Sequence, residues 1–167
     1  MILSDKSIKE RLDEEGLVIS PLDVEDIQPC SVDLHLRYDL KSIHDTYFDL
    51  REEDYILKPD EFILGSTTEY VCIPENLSGF VDGKSSIGRL GVAIHITAGF
   101  IDPGFRGHVT LEIKNNSDKP FVLKEGMSIA QTIFFTLTTP CDVPYGDEKR
   151  SSHYQDSIGT ILSRYEY

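Results

Sequence analysis

From Ser31 onward the chain is cut into short apolar runs by Gly, Pro, Asn and Asp, and this punctuation limits the possible folds more than any other feature. Turn signals stand at Lys58-Pro59-Asp60, Pro74-Glu75-Asn76, Asp102-Pro103-Gly104, Asn115-Asn116-Ser117-Asp118 and Lys124-Glu125-Gly126. Runs bounded in this way have strand length, so the pattern predicts an all-β sandwich or barrel. Only the start reads differently. Ser4 is placed to cap a short helix with Ile8 and Leu12 on one face, and Gly16 is its natural stop; no other long helix is expected.

Two strands are legible by alternation. In 92–97, Val92, Ile94 and Ile96 share one face and Ala93, His95 and Thr97 the other; in 108–114, Val109, Leu111 and Ile113 oppose His108, Thr110, Glu112 and Lys114. Residues 128–138 are long and mostly apolar, which predicts a strand covered on both sides, within the fold or at a subunit contact. Residues 146–167 are polar and poor in apolar side chains, so a mobile or ligand-ordered tail is expected there. With 167 residues, 40% hydrophobic, and no internal repeat or linker, residues 1–167 read as one domain.

Composition narrows the function. The three cysteines, Cys30, Cys72 and Cys141, are far apart and odd in number, which argues against a disulfide framework and for a reducing compartment. The amino terminus lacks the basic start and apolar core of an export signal, and no apolar stretch reaches the ~20 residues of a membrane helix. A soluble, cytoplasmic protein is expected. The formal net charge of -13 disfavours nucleic acid as a partner, because phosphate binding needs a basic face. A small anion would need a locally positive pocket, for which Lys84, Arg89, Arg106, Lys149 and Arg150 are the candidates; otherwise the excess acid reads as a solvated surface.

Chemistry concentrates between Gly83 and Glu112. Gly83-Lys84-Ser85-Ser86-Ile87-Gly88-Arg89 offers backbone N–H groups, two hydroxyls and two cations, donors suited to phosphate oxygens. It is not a P-loop. The earlier glycine of that motif would fall at Ser78, with Gly79 one place out of register, and the following residues read as β, leaving no helix N-terminus to use. Taken alone, such a turn is more often just a loop. Asp102-Pro103-Gly104 is either a tight β-turn or a turn that offers Asp102 to a sugar or a water, and spacing does not separate the two. Glu112 alone reads as a solvated carboxylate, and His95 and His108 as hydrogen-bonded surface histidines. Zinc-dependent deaminases need His-x-Glu and Pro-Cys-x-x-Cys; Pro140-Cys141 has no second cysteine and no histidine stands two before a glutamate.

Four segments together resemble the dCTP deaminase family of the trimeric dUTPase superfamily: Pro29-Cys30-Ser31-Val32-Asp33-Leu34, Lys84 to Arg89, Ala98 to Gly107, and Gly126-Met127-Ser128-Ile129-Ala130-Gln131. The resemblance implies a mostly β, distorted barrel or jelly-roll protomer with a short N-terminal helix, assembled as a homotrimer with sites at subunit interfaces. It implies Mg²⁺ carried by the phosphates of dCTP or dUTP, with no direct protein ligand, and dTTP as a candidate inhibitor. It gives Glu112 the role of general acid/base, lets Ser85 and Arg89 orient the attacked base and water, and gives Ala98 a backbone-carbonyl role. Asp102 would orient a second water. Nucleotide contacts fall on Lys84, Ser85, Ser86, Ile87, Gly88, Arg89, Asp102, Thr110, Leu111, Glu112, Gln131, Tyr145, His153 and Ser157.

His153 and Ser157 stand where the family usually has Lys and Gln, and histidine is only partly charged near neutrality. Gly99-Phe100 resembles the bifunctional, dUMP-forming members, whereas deaminase-only members carry a bulkier polar pair. The expected reaction is therefore zinc-independent conversion of dCTP to dUMP, diphosphate and ammonia. A deaminase that releases dUTP, a dUTPase and a non-catalytic nucleotide sensor are the alternatives.

Overall fold

The computed structural model describes residues 1–13 and 16–165. Among the described residues the only helix of more than one turn is α1 (Asp5–Asp13), started as expected: Ser7 N donates to Ser4 Oγ (3.4 Å), Ile8 N donates to Ser4 O (2.8 Å), and Ile8 is fully buried. The expected stop at Gly16 turns on residues 14 and 15, which lie outside the described residues.

Besides single helical turns at Val24–Asp26 and Ser85–Gly88, the described residues form twelve strands: β1 (Val18–Ser20), β2 (Val32–His35), β3 (Asp39–Lys41), β4 (Tyr47–Asp49), β5 (Tyr55–Leu57), β6 (Phe62–Cys72), β7 (Leu77–Gly83), β8 (Val92–Ile94), β9 (Phe100–Ile101), β10 (Arg106–Asn115), β11 (Phe121–Leu123) and β12 (Ser128–Thr136). All five turn signals fall between strands. Glu61 N donates to Lys58 O (3.1 Å), Leu77 N to Pro74 O (3.1 Å), Phe105 N to Asp102 O (3.1 Å) and Met127 N to Lys124 O (3.4 Å), each closing the turn its sequence announces.

One antiparallel sheet runs β4-β3-β6-β10-β8, with β1 also pairing β6; a second runs β2-β12-β7-β9; β5 and β11 form a separate pair. A single apolar core draws on both large sheets through Leu34, Leu64's neighbour Ile63, Val81, Leu111, Ile113 and Phe134. A bridge between Leu36 and Thr67, with Arg37 N donating to Ser66 O (2.9 Å), joins the sheets along one edge. The sandwich is thereby a partly closed, distorted barrel, the architecture expected.

The alternation read for 108–114 holds. Val109, Leu111 and Ile113 are buried, while Thr110 and Glu112 are half-exposed on the other face. The strand read for 92–97 is shorter than expected, ending at Ile94. His95 and Ala98 adopt positive φ (56° and 58°), so the chain leaves the sheet and Ile96 is 47% exposed instead of joining the core. The physical reason is local: this excursion brings the Thr97 amide to Glu112. A second correction concerns Ser85–Gly88, which form one helical turn, α2, where the sequence read as β. Ile87 alone of its residues is buried, and it pins the turn to the core. The last long strand ends at Thr136, two residues before the expected Thr138. Among the described residues no helix is long and apolar enough to cross a membrane.

Asn115 ties the end of β10 to its turn. Fully buried, it donates through Nδ2 to Leu57 O (3.0 Å) and Lys119 O (2.7 Å), and Oδ1 accepts from Ser117 N (2.9 Å) and Ser117 Oγ (2.8 Å). Asn115→Ala strands these groups away from water, and should lower the unfolding free energy by about 2–4 kcal/mol. Urea denaturation followed by circular dichroism measures this. A loss below ~0.5 kcal/mol would mean that the site relaxes or hydrates freely.

Candidate active site

A cavity of about 750 Å³ opens between β10, the 95–105 segment and the C-terminal segment. From β10 it receives Thr110 and Glu112, which share a face because they are two residues apart. Ala98, Gly99, Phe100 and Asp102 form a second wall, and Tyr145, His153 and Ser157 a third.

Glu112 is the most tightly organised carboxylate of the cavity. Its Oε2 accepts from Thr97 N (2.8 Å) and Thr97 Oγ1 (3.1 Å), and Oε1 lies 3.3 Å from the same hydroxyl. The backbone beneath is fixed as well. His95 N donates to Glu112 O (3.0 Å), and Glu112 N lies 3.4 Å from His95 Nδ1, so that nitrogen is the acceptor and Nε2–H is the donor to Ala98 O at 3.2 Å. A carboxylate oriented in this way and open to a cavity is equipped to take and return a proton. Thr97 was not assigned a role from sequence; its signal is a hydroxyl residue directly before Ala98, at the turn-out from a strand paired with β10.

Two glycines are dictated by close approach. A Cβ on Gly104 (φ 88°) would lie 2.6 Å from Pro144 Cβ and 2.8 Å from Tyr145 O, so only glycine lets the Asp102 turn meet the segment that carries Tyr145. Tyr145 N then donates to Pro103 O (2.7 Å). A Cβ on Gly99 would lie 2.7 Å from Val81 O and 3.0 Å from the Phe80 ring, while Val81 N donates to Gly99 O (2.8 Å). The lack of a side chain at 99 is thus demanded by β7 behind the loop. Phe100 stands edge-on to Phe80 (5.3 Å between centroids) and is 72% exposed at the cavity wall.

Of residues 146–167, read as a mobile or ligand-ordered tail, those from Gln155 to Ile161 lie along β10. Gly107 and Ser157 form a parallel bridge, His108 N donates to Ser157 O (2.9 Å), and Ile161 N donates to Thr110 Oγ1 (3.1 Å). Ser157 Oγ donates to Tyr154 O (2.6 Å), whereas the His153 side chain is exposed at the cavity. Arg106 grips Asp156 through Nε–H to Oδ1 (3.0 Å) and Nη2–H to Oδ2 (3.2 Å), holding that carboxyl below its usual range; Arg106 is thereby committed to a partner.

The remaining candidates stand apart from the cavity. Lys84, Ser85, Ser86, Ile87, Gly88, Arg89 and Gln131 do not line it. Lys84 Nζ is paired with Asp33 Oδ2, and Gln131 sits opposite Asp33 in the β2–β12 register with Oε1 3.5 Å from Ser31 Oγ. Ser85, Ser86, Gly88 and Arg89 are exposed on and beside α2. Leu111 has no exposed surface, its side chain lying in the core on the face opposite Glu112, so only its backbone is open to a ligand role. The described part of one chain therefore holds the carboxylate and tail groups in one place, and the hydroxyl and cation turn in another.

The Arg106–Asp156 pair sets a pH dependence. Because the folded-state pKa of Asp156 is depressed, its contribution is present above the ordinary aspartate pKa of about 3.9 and is lost as pH falls through the lower folded value. Both groups are exposed, so the effect is small. The melting-temperature difference between wild type and Asp156→Asn should stay constant from pH 7 to about 5 and shrink toward zero below about 4. A difference that grows on acidification contradicts the assignment.

The model of the family described as dCTP deaminase-like matches residues 2–137. The chain is 43% identical to the "dCTP deaminase, dUMP-forming" of Methanobrevibacter smithii over 98% of this chain and 94% of the relative. It is 44% identical to the "dCTP deaminase" of Halorubrum lacusprofundi over 98% of this chain and 91% of the relative. Among solved structures it is similar in fold to the 2'-deoxycytidine 5'-triphosphate deaminase of Agrobacterium tumefaciens, with a TM-score of 0.69 at 24% identity, over 81% of this chain and 48% of that one. With a family match across most of its length and two such relatives, the chain belongs to the dCTP deaminase-like family.

Proposed function

We propose that this chain hydrolyses dCTP to dUMP, diphosphate and ammonia. The observation that carries the reading is Glu112, held by the Thr97 amide and hydroxyl on the wall of a nucleotide-sized cavity. Glu112 takes a proton from water while the hydroxide adds to C4 of the cytosine. The carboxyl delivers that proton to the exocyclic nitrogen, the C4–N bond breaks and ammonia leaves, and the proton of the added hydroxyl passes to N3, giving the C4 carbonyl of uracil. A second water, oriented by Asp102, then attacks the α-phosphorus and the bond to the bridging oxygen breaks, releasing diphosphate. Coupling the steps keeps dUTP from accumulating. The relative named as dUMP-forming and the Gly99-Phe100 pair support this ending. The relative named simply as a dCTP deaminase supports release of dUTP as the second reading.

The remaining parts follow from the division of groups. Lys84 and Arg89, with Ser85 and Ser86 beside them, supply cations that the lining of the Glu112 cavity lacks, so the complete site takes this turn from a neighbouring copy in a homotrimer. Asp102 gives one exposed carboxylate to the cavity, and among the described residues no three His, Cys, Asp or Glu side chains are grouped to hold a metal by themselves. That donor set fits Mg²⁺ carried chiefly by substrate phosphates. When bound, the ion neutralises phosphate oxygens and eases departure of diphosphate.

Incubation with dCTP and Mg²⁺, with ammonia, dUTP, dUMP and diphosphate quantified over time, should give ammonia, dUMP and diphosphate in equal amounts with little dUTP. Ammonia with stoichiometric dUTP and no diphosphate would select the second reading. Untouched dCTP would remove both, pointing to a dUTPase if dUTP is cleaved and to a sensor if nucleotide binds without turnover. Glu112→Gln should retain nucleotide binding and lower kcat by about 10²–10⁴-fold; ammonia release at the wild-type rate would rule out Glu112 as the acid/base.

A further inference from the structure

The C-terminal segment is fastened by a carboxylate that belongs to neither motif nor cavity. Asp39, on β3, is buried, and its two oxygens are divided between two tasks. Oδ1 accepts from Arg37 Nη1 (2.6 Å) and from Ser66 Oγ (3.2 Å), which fix the side chain to the barrel. Oδ2 accepts from the backbone N–H of Thr160 (2.6 Å), 121 residues further along the chain, and Thr160 Oγ1 donates to Asp39 O (2.6 Å). Thr160 is itself buried. Gly159 has φ 70°, and a Cβ there would lie 2.5 Å from Asp39 Oδ2 and 2.7 Å from Arg37 Nη1, so the contact excludes any side chain at that position. Immediately after it, Ile161 N reaches Thr110 Oγ1, two residues from Glu112 on the same face of β10.

The segment is therefore pinned at both ends. At Tyr145 it is held by Pro103 and the Gly104 cradle, and at 159–161 by Asp39 and Thr110. His153 and Tyr154, which face the cavity, lie on the loop between these two fastenings, and Ser157, bridged to Gly107, lies next to the second. We infer that Asp39 is a positioning residue, whose buried carboxylate latches Gly159–Thr160 and so holds the tail wall of the nucleotide cavity against β10. An amide does not substitute for this carboxylate. Arg37 and Ser66 need an acceptor at one oxygen and Thr160 N–H needs one at the other, so an asparagine NH₂ would face a donor whichever way it turned.

The inference rests on the nucleotide reading for its kinetic test but not for its structural one. Gly159→Ala pushes a methyl group into the latch while leaving Asp39, Arg37 and the barrel core intact; Asp39→Asn attacks the same contact from the other side. On the full-length chain without nucleotide, trypsin cleavage after Lys149 and Arg150, followed by mass spectrometry, should be at least fivefold faster in Gly159→Ala than in wild type, with a melting temperature within a few degrees. With dCTP and Mg²⁺, the KM of Gly159→Ala should rise about tenfold, the size of one lost charge-assisted hydrogen bond, while kcat stays within about threefold because Thr97 still holds Glu112. Asp39→Asn should reproduce both effects where it folds. Wild-type cleavage and wild-type KM in Gly159→Ala would overturn the inference. So would a fall in kcat that tracks a lowered melting temperature, which would make the contact part of the scaffold only. A wild-type chain that leaves dCTP untouched counts against the proposed reaction, and the nucleotide-free cleavage rates then decide the latch alone.

Discussion

Along β10 successive side chains go to opposite faces, and because the strand is paired with β6 along one edge and with β8 along the other, its register is pinned from both sides. Val109, Leu111 and Ile113 bury apolar surface worth roughly 1.5–3 kcal/mol each, whereas an unpaired carboxylate forced into that core would cost far more. Slipping by one residue would exchange Leu111 for Glu112. The packing energetics of an ordinary barrel strand thus place Thr110 and Glu112 in the cavity. What chemistry adds is the departure of the neighbouring chain from β8. His95 and Ala98 accept left-handed backbone, uncommon for residues with a side chain, and in return Thr97 closes on the carboxylate.

Charge is distributed with the same economy. An acidic chain has few cations to spare for a triphosphate, and several of those are committed: Arg106 to Asp156, Arg37 to Asp39, Lys84 to Asp33. Arg89 is exposed beside a turn rich in hydroxyls and backbone donors, away from the cavity that holds Glu112. A nucleotide bound by one protomer would meet the proton-transfer group without those donors. In the proposed homotrimer, copies arranged head to tail around a closed ring would supply both halves to every site.

The turns and the alternation of β10 were legible in the sequence because both are local: Asp-Pro-Gly closes a turn by its own backbone preferences, and a two-residue period needs no partner to be seen. The course of 95–98 was not legible. Ile96 continues the apolar alternation of Val92 and Ile94, and only the pull of Thr97 toward Glu112, across strands, takes it out of the core. The helical turn at Ser85–Gly88 escaped for a similar reason, since four residues carry no periodicity and its stability comes from Ile87 in the core. Asp39 was invisible as well, because its partner stands 121 residues away in a segment whose polar composition reads as tail. For the site residues, motif order supplied the candidates, whereas spacing gave no sign that one chain holds the Lys84–Arg89 turn apart from the Glu112 cavity.

That separation is the central claim, and complementation between copies tests it most directly. Glu112→Gln and Ser85→Ala chains, each expected to turn over dCTP far more slowly than wild type when alone, are co-expressed with different tags and the mixed assemblies purified by both tags in turn. If each site joins the Glu112 cavity of one copy to the Lys84–Arg89 turn of another, mixing restores dCTP turnover, with about one site in three intact in each mixed trimer. Mixed assemblies that remain as inactive as either parent would place both groups within a single chain and contradict the account.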